Sequence, residues 1–195
     1  MRFMHGFSVV FSFLITVFYC SLFEWWFHRY VLHGHFPLLG YGYYRHTKVH
    51  HGLYPANKNP EKDRFEHQGN GEPRDIKLQW YTLPILLLLH LPIFFLLKNH
   101  FMGWPVVFSV ISAMVTYFVI YETFHYFMHA PRGCCVEKLG VFKYIRARHH
   151  LHHGSMRKNY CVLLPFADWL FKTGAWLFRV RFVWIGPYFF TTHLV

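Results

Sequence analysis

The sequence predicts an all-α integral membrane protein with about three transmembrane helices and a histidine-rich helical cap on the cytoplasmic side. Three observations lead to this prediction: long apolar segments, a one-sided distribution of basic residues, and clustered histidines. Of the 195 residues, 54% are hydrophobic and 22% aromatic, well above an average soluble domain. We expect the whole chain, residues 1–195, to form a single membrane-embedded domain.

Three segments are long and apolar enough to cross a bilayer, which takes about 20 residues in a helix. They cover roughly residues 6–27, 78–97 and 104–121. The first is too long for a secretory signal, lacks a small-residue cleavage site, and continues directly into the first histidines. We therefore interpret it as a membrane span.

Two further helices are expected. The third span should continue through Glu122 to His129 and stop at the proline and glycine that follow. Residues 161–178 are apolar but contain a proline and two charged residues, and each central charge would cost a span about 2.5–3.5 kcal/mol. This pattern favours an interfacial or site-covering helix, with a fourth span as the alternative.

The net charge of +11 is explained by membrane topology. Of the 20 Lys and Arg residues, eight lie in 29–77 and ten lie after residue 129, which are the segments that three spans would place on one side. Basic residues accumulate on the cytoplasmic side, so we expect the N-terminus outside and the C-terminus inside. No nucleic-acid-binding module accompanies the charge, which argues against a nucleic acid partner.

Twelve of the 17 histidines fall within four windows that total 24 residues, namely 28–35, 46–51, 125–129 and 149–153. Three crossings place all four windows on one side, whereas two crossings would separate them by about 30 Å. The windows therefore predict a metal site at the cytoplasmic membrane face. By contrast His90, deep in the second span, is expected to hydrogen-bond a neighbouring helix.

The spacing within the windows is suited to metal binding. Residues three or four apart share a helix face, so three windows can each present several imidazoles to one point: His46 with His50, His125 with His129, and His149 with His152 and His153. His28 and His33 are five apart, so a helix must end or bend before Gly34 for both to converge.

Roughly ten imidazole donors are enough for two metal ions. Imidazole binds zinc, iron, copper and nickel, but the absence of cysteine from all four windows favours iron, with zinc possible in the isolated protein. The four cysteines are interpreted as structural.

Ligating histidines usually donate their second ring N–H to an acceptor, and we expect Glu24 and Glu122 to accept it; pairing with a nearby arginine is the alternative. Asp168 is expected to support the site or to cap its own helix.

Two segments resemble a known family. Glu24-Trp-Trp-Phe-His28-Arg-Tyr-Val-Leu-His33-Gly resembles the opening signature of the fatty acid hydroxylase/sterol desaturase superfamily, closest to its fatty acid 2-hydroxylase-like branch. The segment from Asn159 to Thr173 is similar to the part of that family that follows the last histidines. The resemblance covers nearly the whole chain. It implies a histidine-rich membrane dimetal oxygenase that hydroxylates or dehydrogenates lipid hydrocarbon with O2 and two electrons.

The resemblance also implies site residues. Carried over by position, the metal ligands are His28, His33, His46, His50, His51, His125, His129, His149, His152 and His153, with His35 and His150 as alternates. The residues implied to support them are Glu24, Glu122, Asp168 and Asn159.

The chain departs from the family pattern in several places. Three residues, rather than the usual two, separate His46 from the following histidine pair, Cys161 and Lys172 replace typical glycines, and the loop of residues 52–77 is longer. The His-Pro-Gly-Gly signature of a fused cytochrome b5 domain is absent, so we expect a separate electron donor, cytochrome b5-like or ferredoxin-like. The compact chain favours a bacterial inner membrane over the endoplasmic reticulum.

The leading hypothesis is therefore an oxidoreductase that hydroxylates a fatty acyl or related lipid chain taken from the bilayer. One alternative is a lipid or sterol desaturase, or a carotenoid-type hydroxylase, of the same superfamily. An alternative of another class is a membrane protein that transports or handles metal ions. A haem carrier would need histidine pairs facing each other inside the spans, and only His90 lies there.

Overall fold

The computed structural model describes residues 2–34, 36–37, 39–55, 76–100, 103–129 and 133–175, with side chains from residue 6 onward. Every regular element in these ranges is helical, so the all-α class is confirmed for them. In chain order the elements are α1 (Arg2–Phe27), π1 (His28–Leu32), α2 (Gly40–Tyr43), π2 (Tyr44–His50), α3 (His51–Leu53), α4 (Thr82–Leu89), α5 (Leu91–His100), α6 (Trp104–His129), α7 (Cys135–Lys138), α8 (Gly140–Gly154) and α9 (Phe166–Leu170), where π1 and π2 are π-helical segments.

Two helical segments are long and apolar enough to cross a membrane. One covers Gly6–Leu32, because α1 continues directly into π1, and the other is α6. At 1.5 Å per residue each is about 40 Å long, which exceeds the roughly 30 Å hydrocarbon core of a bilayer. The predicted continuation of the third span to His129 is confirmed.

The segment predicted as the second span is bent. Helices α4 and α5 meet at His90 with an angle of 45°, and only together do they meet the length required of one span. Pro92 explains the break, because proline lacks a backbone N–H and its ring clashes with the carbonyl four residues earlier. The described chain therefore has two spanning helices, or three if the bent pair counts as one.

Helices α1 and α6 pack in parallel. Near their N-terminal ends Ser109 Oγ donates a hydrogen bond to Val9 O at 2.6 Å. Towards their C-terminal ends Tyr117 Oη donates to Glu24 Oε2, also at 2.6 Å. Both helices therefore bring their last residues to the same end of the molecule, which we call the histidine end.

The bent pair α4–α5 runs in the opposite direction. At the histidine end, Leu78 N lies 3.2 and 3.3 Å from the two carboxylate oxygens of Glu122. Phe94, in α5, instead belongs to the core cluster of Val106 and Val107 at the start of α6. The pair therefore leads the chain back from the histidine end, so that α6 can begin at the opposite end.

The outer faces of these helices are apolar and exposed. Phe7 is 68% exposed, Leu89 68% and Phe108 63%. A soluble domain rarely leaves so much large apolar surface uncovered. Exposure of this kind along helices of spanning length is typical of contact with lipid, in agreement with the membrane association expected from the sequence.

The helix expected over residues 161–178 is not present. Only Phe166–Leu170 is helical, and residues from 176 onward lie outside the described part of the chain. Asn159 and Lys172 have φ angles of 53° and 55°, left-handed conformations that a helix excludes. The segment instead forms a loop that packs over the histidine end, and α9 is far too short to span a bilayer.

Candidate metal centre

Nine of the ten predicted ligands form two groups of histidines at the histidine end. The candidate ligand atoms within each group all lie within 4.8 Å of one another. Group 1 consists of His28, His33, His46, His51 and His152, and group 2 consists of His50, His125, His129 and His149. Eight of the nine are buried, and His33 is half-buried.

The two groups lie side by side. The rings of His46 and His50, one from each group, have centroids 5.2 Å apart, and those of His50 and His51 are 5.6 Å apart. The tenth residue, His153, lies between them: its Nε2 is 3.0 Å from that of His149, and its ring stacks on His51 at 4.1 Å. The buried histidines could therefore hold two neighbouring metal ions.

The windows and the groups do not correspond one to one. The first window supplies group 1 and the third supplies group 2, but the second and fourth windows contribute to both. His46 and His50 were expected to serve a single point, whereas they separate into different groups. The fourth window likewise separates His149 from His152. The second and fourth windows thus each connect the two candidate metal sites, because each supplies ligands to both.

Both histidine pairs that are five residues apart are aligned by π-helical winding. In a π-helix the N–H of residue i+5 bonds to the carbonyl of residue i, so residues five apart lie above one another. His33 N donates to His28 O at 3.0 Å, and His51 N donates to His46 O. The helix does end before Gly34, at Leu32, as expected. The π-helical winding of π1 in addition brings His28 and His33 to one face.

The extra residue in the second window is accommodated by π2. A π-helical segment winds one more residue into each turn than an α-helix does. His46 and His51 therefore still face the same group despite the additional spacing, and His50 faces the other. Such π-helical insertions are frequent at functional sites.

Four histidines have their Nδ1 atoms fixed by hydrogen bonds to oxygen. The acceptors are Tyr160 O for His28, Thr47 Oγ1 for His33, Lys158 O for His152, and Tyr54 O for His153. Carbonyl oxygens only accept, and the Thr47 hydroxyl already donates to Leu32 O at 2.6 Å. Each Nδ1 therefore carries the proton, and in the neutral ring Nε2 carries a lone pair.

Burial keeps these imidazoles neutral. Burial, together with neighbouring histidines, lowers the pKa of His33 to about 3 and that of His51 to about 2, and burial lowers the pKa of His152 to about 4. Neutral imidazole is the form that binds metals. At neutral pH these side chains are thus already in the ligating state.

The unprotonated nitrogens face one another, which is the strongest sign that cations belong here. The Nε2 atoms of His33 and His152 are 2.9 Å apart, yet both carry lone pairs and neither has a proton to share. The Nε2 of His125 is buried without a hydrogen-bond partner among the described residues. A metal ion would replace this repulsion with coordination, so the donor set fits metal ions.

Glu24 and Glu122 have different partners from those expected. Glu24 accepts hydrogen bonds from Tyr117 Oη and from Val162 N, and Glu122 faces Leu78 N. In the described contacts the two glutamates accept hydrogen bonds from backbone N–H groups and from a tyrosine hydroxyl. The histidine ring N–H groups instead donate to carbonyl and hydroxyl oxygens. The expected carboxylate–histidine pairing is therefore wrong, as is the alternative pairing with arginine.

Asp168 organises the loop that covers group 1. It is fully buried, forms an ion pair with Arg148 at 2.9 Å, and accepts hydrogen bonds from Tyr160 N, Cys161 N and Thr173 Oγ1. Because Tyr160 O is the acceptor for His28, Asp168 supports the site through the loop backbone. Asn159 closes the same loop through bonds to Arg148 O and from Ala175 N.

The remaining histidines whose side chains the structure describes lie outside the two groups. His150 is half-buried and belongs to neither group, and His35 lies outside the described residues. His90 accepts a hydrogen bond from Tyr19 Oη of α1 at 2.7 Å, so its predicted bond to a neighbouring helix is confirmed. Sequence reasoning missed Thr47 and the three carbonyl acceptors, since nothing in the sequence marks a backbone oxygen as a hydrogen-bond partner.

An apolar cavity of about 80 Å³ adjoins group 1. It lies between α1, the bent pair and α6, and His28 and Leu32 line it at the histidine end. Most of the other lining side chains are aliphatic or aromatic, and Tyr19, His90 and Met114 line the end that is farthest from His28. The cavity thus extends from the candidate metal centre along the spanning helices.

Comparison of the chain with protein-family models, curated proteins and solved structures finds no match. The chemistry assigned to the site therefore rests on its own residues. Those residues are two adjacent groups of neutral imidazoles, fixed by backbone acceptors and bordered by an apolar cavity.

Proposed function

We propose that this protein is a membrane-embedded dimetal oxygenase that hydroxylates a fatty acyl or related lipid chain, and that it belongs to the fatty acid hydroxylase/sterol desaturase superfamily. One observation carries the proposal: imidazole nitrogens from four separate chain segments converge on two adjacent points beside a hydrocarbon-lined cavity. A structural metal site would need neither two neighbouring positions nor an apolar cavity.

The protein holds and orients the metal pair. When bound, two iron ions would activate O2 with two electrons from a separate donor, which acid–base side chains cannot do for an unactivated C–H bond. Backbone carbonyls and the Thr47 hydroxyl fix the imidazole tautomers and ring orientations. Burial of both groups excludes water from the reacting region.

The cavity is the proposed site for the hydrocarbon part of the substrate. Its walls come from helices whose outer faces meet lipid, so a chain can enter from the side without passing through water. His28 and Leu32 at its inner end bring that chain next to group 1. The polar head group of the lipid would then lie near the basic histidine end.

We also propose that the histidine end faces the cytoplasm. The bent pair is taken to cross the membrane once, which agrees with its opposite direction to α1 and α6. Both segments rich in Lys and Arg then lie on the same side as the histidines.

The rival functions have less support. Transport sites usually lie near the bilayer midplane between repeated halves, whereas the histidine groups lie at one end of the helices. A haem carrier needs an axial histidine pair within the spans, but the described partner of His90 is a tyrosine.

Lipid analysis of cells with and without the protein tests the proposal. We expect a lipid whose mass increases by one oxygen atom when the protein is present. The His149→Ala variant should abolish this product, because His149 belongs to group 2. The matched control is His150→Ala, the neighbouring histidine on α8 that belongs to neither group, and it should retain the product.

Other outcomes decide between the alternatives. A lipid that instead loses two hydrogen atoms would replace hydroxylation with desaturation. An unchanged lipid profile, in cells that supply iron and a reduced electron donor, would contradict an oxygenase.

A further inference from the structure

A hydrogen bond crosses the far end of the apolar cavity. Tyr19 lies on α1 and His90 lies at the bend between α4 and α5, and the two atoms Tyr19 Oη and His90 Nε2 are 2.7 Å apart. Both residues line the cavity. The bond therefore connects two walls of the cavity at its end rather than tightening a packed interface.

The direction of this hydrogen bond is fixed. His90 Nδ1 lies 2.6 Å from Leu86 O, which can only accept, so Nδ1 carries the ring proton. Nε2 is then the acceptor and the Tyr19 hydroxyl is the donor. Each polar group satisfies the other in a region where an unpaired polar group is costly.

Aromatic rings and core side chains border the cavity beside this pair. Phe23 packs against the His90 ring from one side at 5.7 Å, and Phe94 lies on another at 6.3 Å. Met114 also lines this end and belongs, with Phe94, to the buried core that follows. A chain that extends farther between α1 and the bent pair must therefore separate Tyr19 from His90.

The pair lies at a defined distance from the candidate metal centre. Tyr19 lies nine positions before His28 in the same continuous helix, which corresponds to roughly 13 Å along the helix axis. A hydrocarbon chain that passes His28 and follows α1 reaches the pair after this distance. The position of the pair thus limits how much chain can extend beyond the carbon next to group 1.

We propose that the Tyr19–His90 hydrogen bond is the length stop of the hydrocarbon site and makes these two residues specificity determinants. This inference rests on the proposed function, since it assigns the cavity to a lipid chain. Chains that end before the pair bind with the bond intact. Longer chains must separate the Tyr19 hydroxyl from the buried His90 acceptor in surroundings without water to replace the bond, which disfavours them on the order of tenfold.

Competition against photolabelling tests the stop without requiring turnover. The probe is a saturated fatty acid with a diazirine near its tail, and it should label the peptide that contains Cys20 and Phe23 in detergent-purified protein. Unlabelled saturated fatty acids of increasing length then compete. For the unmodified protein we expect a limiting chain length, and fatty acids longer than this limit should compete about tenfold more weakly than shorter ones.

Two variants should move this limit in opposite directions. Tyr19→Phe removes only the hydroxyl and should admit longer chains, whereas Met114→Phe enlarges a side chain at the same end and should favour shorter ones. Tyr81→Phe removes a hydroxyl from an exposed tyrosine outside the cavity lining and should leave the limit unchanged. Equal length dependence in the unmodified protein and in both cavity variants would overturn the length stop, as would labelling confined to outward-facing residues such as Leu88.

The outcomes separate this inference from the proposed function. If the two cavity variants shift the chain-length limit as expected but the protein oxidises no lipid, the length stop is supported and the oxygenase is contradicted. Lipid oxidation with a limit that does not move supports the oxygenase and contradicts the stop.

Discussion

At the scale of single residues, the site depends on hydrogen bonds made by atoms that bind no metal. The His33 ring is held by the Thr47 hydroxyl, which also bonds to Leu32 O and so fastens π2 to the end of π1. Supporting contacts of this kind hold ligand rings in position before the metal arrives. Residues outside the candidate ligand set should therefore affect metal affinity measurably.

Thr47→Val should weaken metal binding at group 1 by about 10- to 100-fold, because it removes the acceptor for His33 Nδ1. The side chain keeps its shape, so the packing changes little. Metal titration of purified, metal-depleted protein measures the effect. Thr47→Ser retains the hydroxyl and should bind like the unmodified protein; equal affinity for the valine variant would show that Thr47 does not position His33.

Asp168→Ala should lower the stability by about 3–5 kcal/mol, because it leaves the buried Arg148 guanidinium without its counter-charge. Arg148→Met should cost less, since Asp168 keeps the N–H groups of Tyr160 and Cys161 and the Thr173 hydroxyl as donors. Denaturant unfolding in detergent compares the two. The reverse order of stabilities would contradict the role of Asp168 as organiser of the loop.

At the scale of elements, π-helical winding is what the sequence could not reveal. The windows and the spans follow from composition, charge and spacing, because apolar length and histidine density are properties of the residues themselves. The division of the second and fourth windows between two groups depends on how each turn is wound, and the fold of residues 159–173 depends on one buried carboxylate. Both depend on tertiary contacts, so spacing alone assigned His46 and His50 to one point and predicted a helix over residues 161–178.

The end of π1 gives a test of this winding. A Cβ added to Gly34 would lie 2.5 Å from Tyr30 O, and because the nearest atoms all belong to the Tyr30 backbone, the turn would have to shift. Gly34→Ala should therefore displace His33 and lower the metal content at group 1. Gly52→Ala, next to His51, meets nothing within 4 Å and serves as the control. If both variants retain the same metal content, the geometry of π1 does not determine the site.

At the scale of the whole molecule, α1, α6 and the bent pair α4–α5 place the histidine groups next to the apolar cavity. The parallel α1 and α6 carry histidines to the same end, and the returning pair α4–α5 makes that parallel arrangement possible. The same rods enclose the apolar cavity, so the lipid-facing surface and the metal-binding groups belong to one structure.

Cysteine labelling tests the proposed topology. With a membrane-impermeant maleimide and intact cells, the exposed Cys135 should react only after permeabilisation, because it follows the third crossing. A cysteine introduced by His100→Cys, at the exposed end of α5, should react directly. Labelling of both positions from the same side would show that α6 does not cross the membrane, and the reversed pattern of labelling would contradict the proposed orientation.

The central claim is that two groups of histidines bind two neighbouring metal ions, and metal content per chain tests it most directly. Protein produced with sufficient iron should contain two iron ions per chain, corresponding to the two groups. His152→Ala should reduce occupancy of group 1, His125→Ala should reduce that of group 2, and His150→Ala should leave both filled. At most a trace of bound metal in the folded protein, or a metal content that none of the group variants changes, would contradict the account.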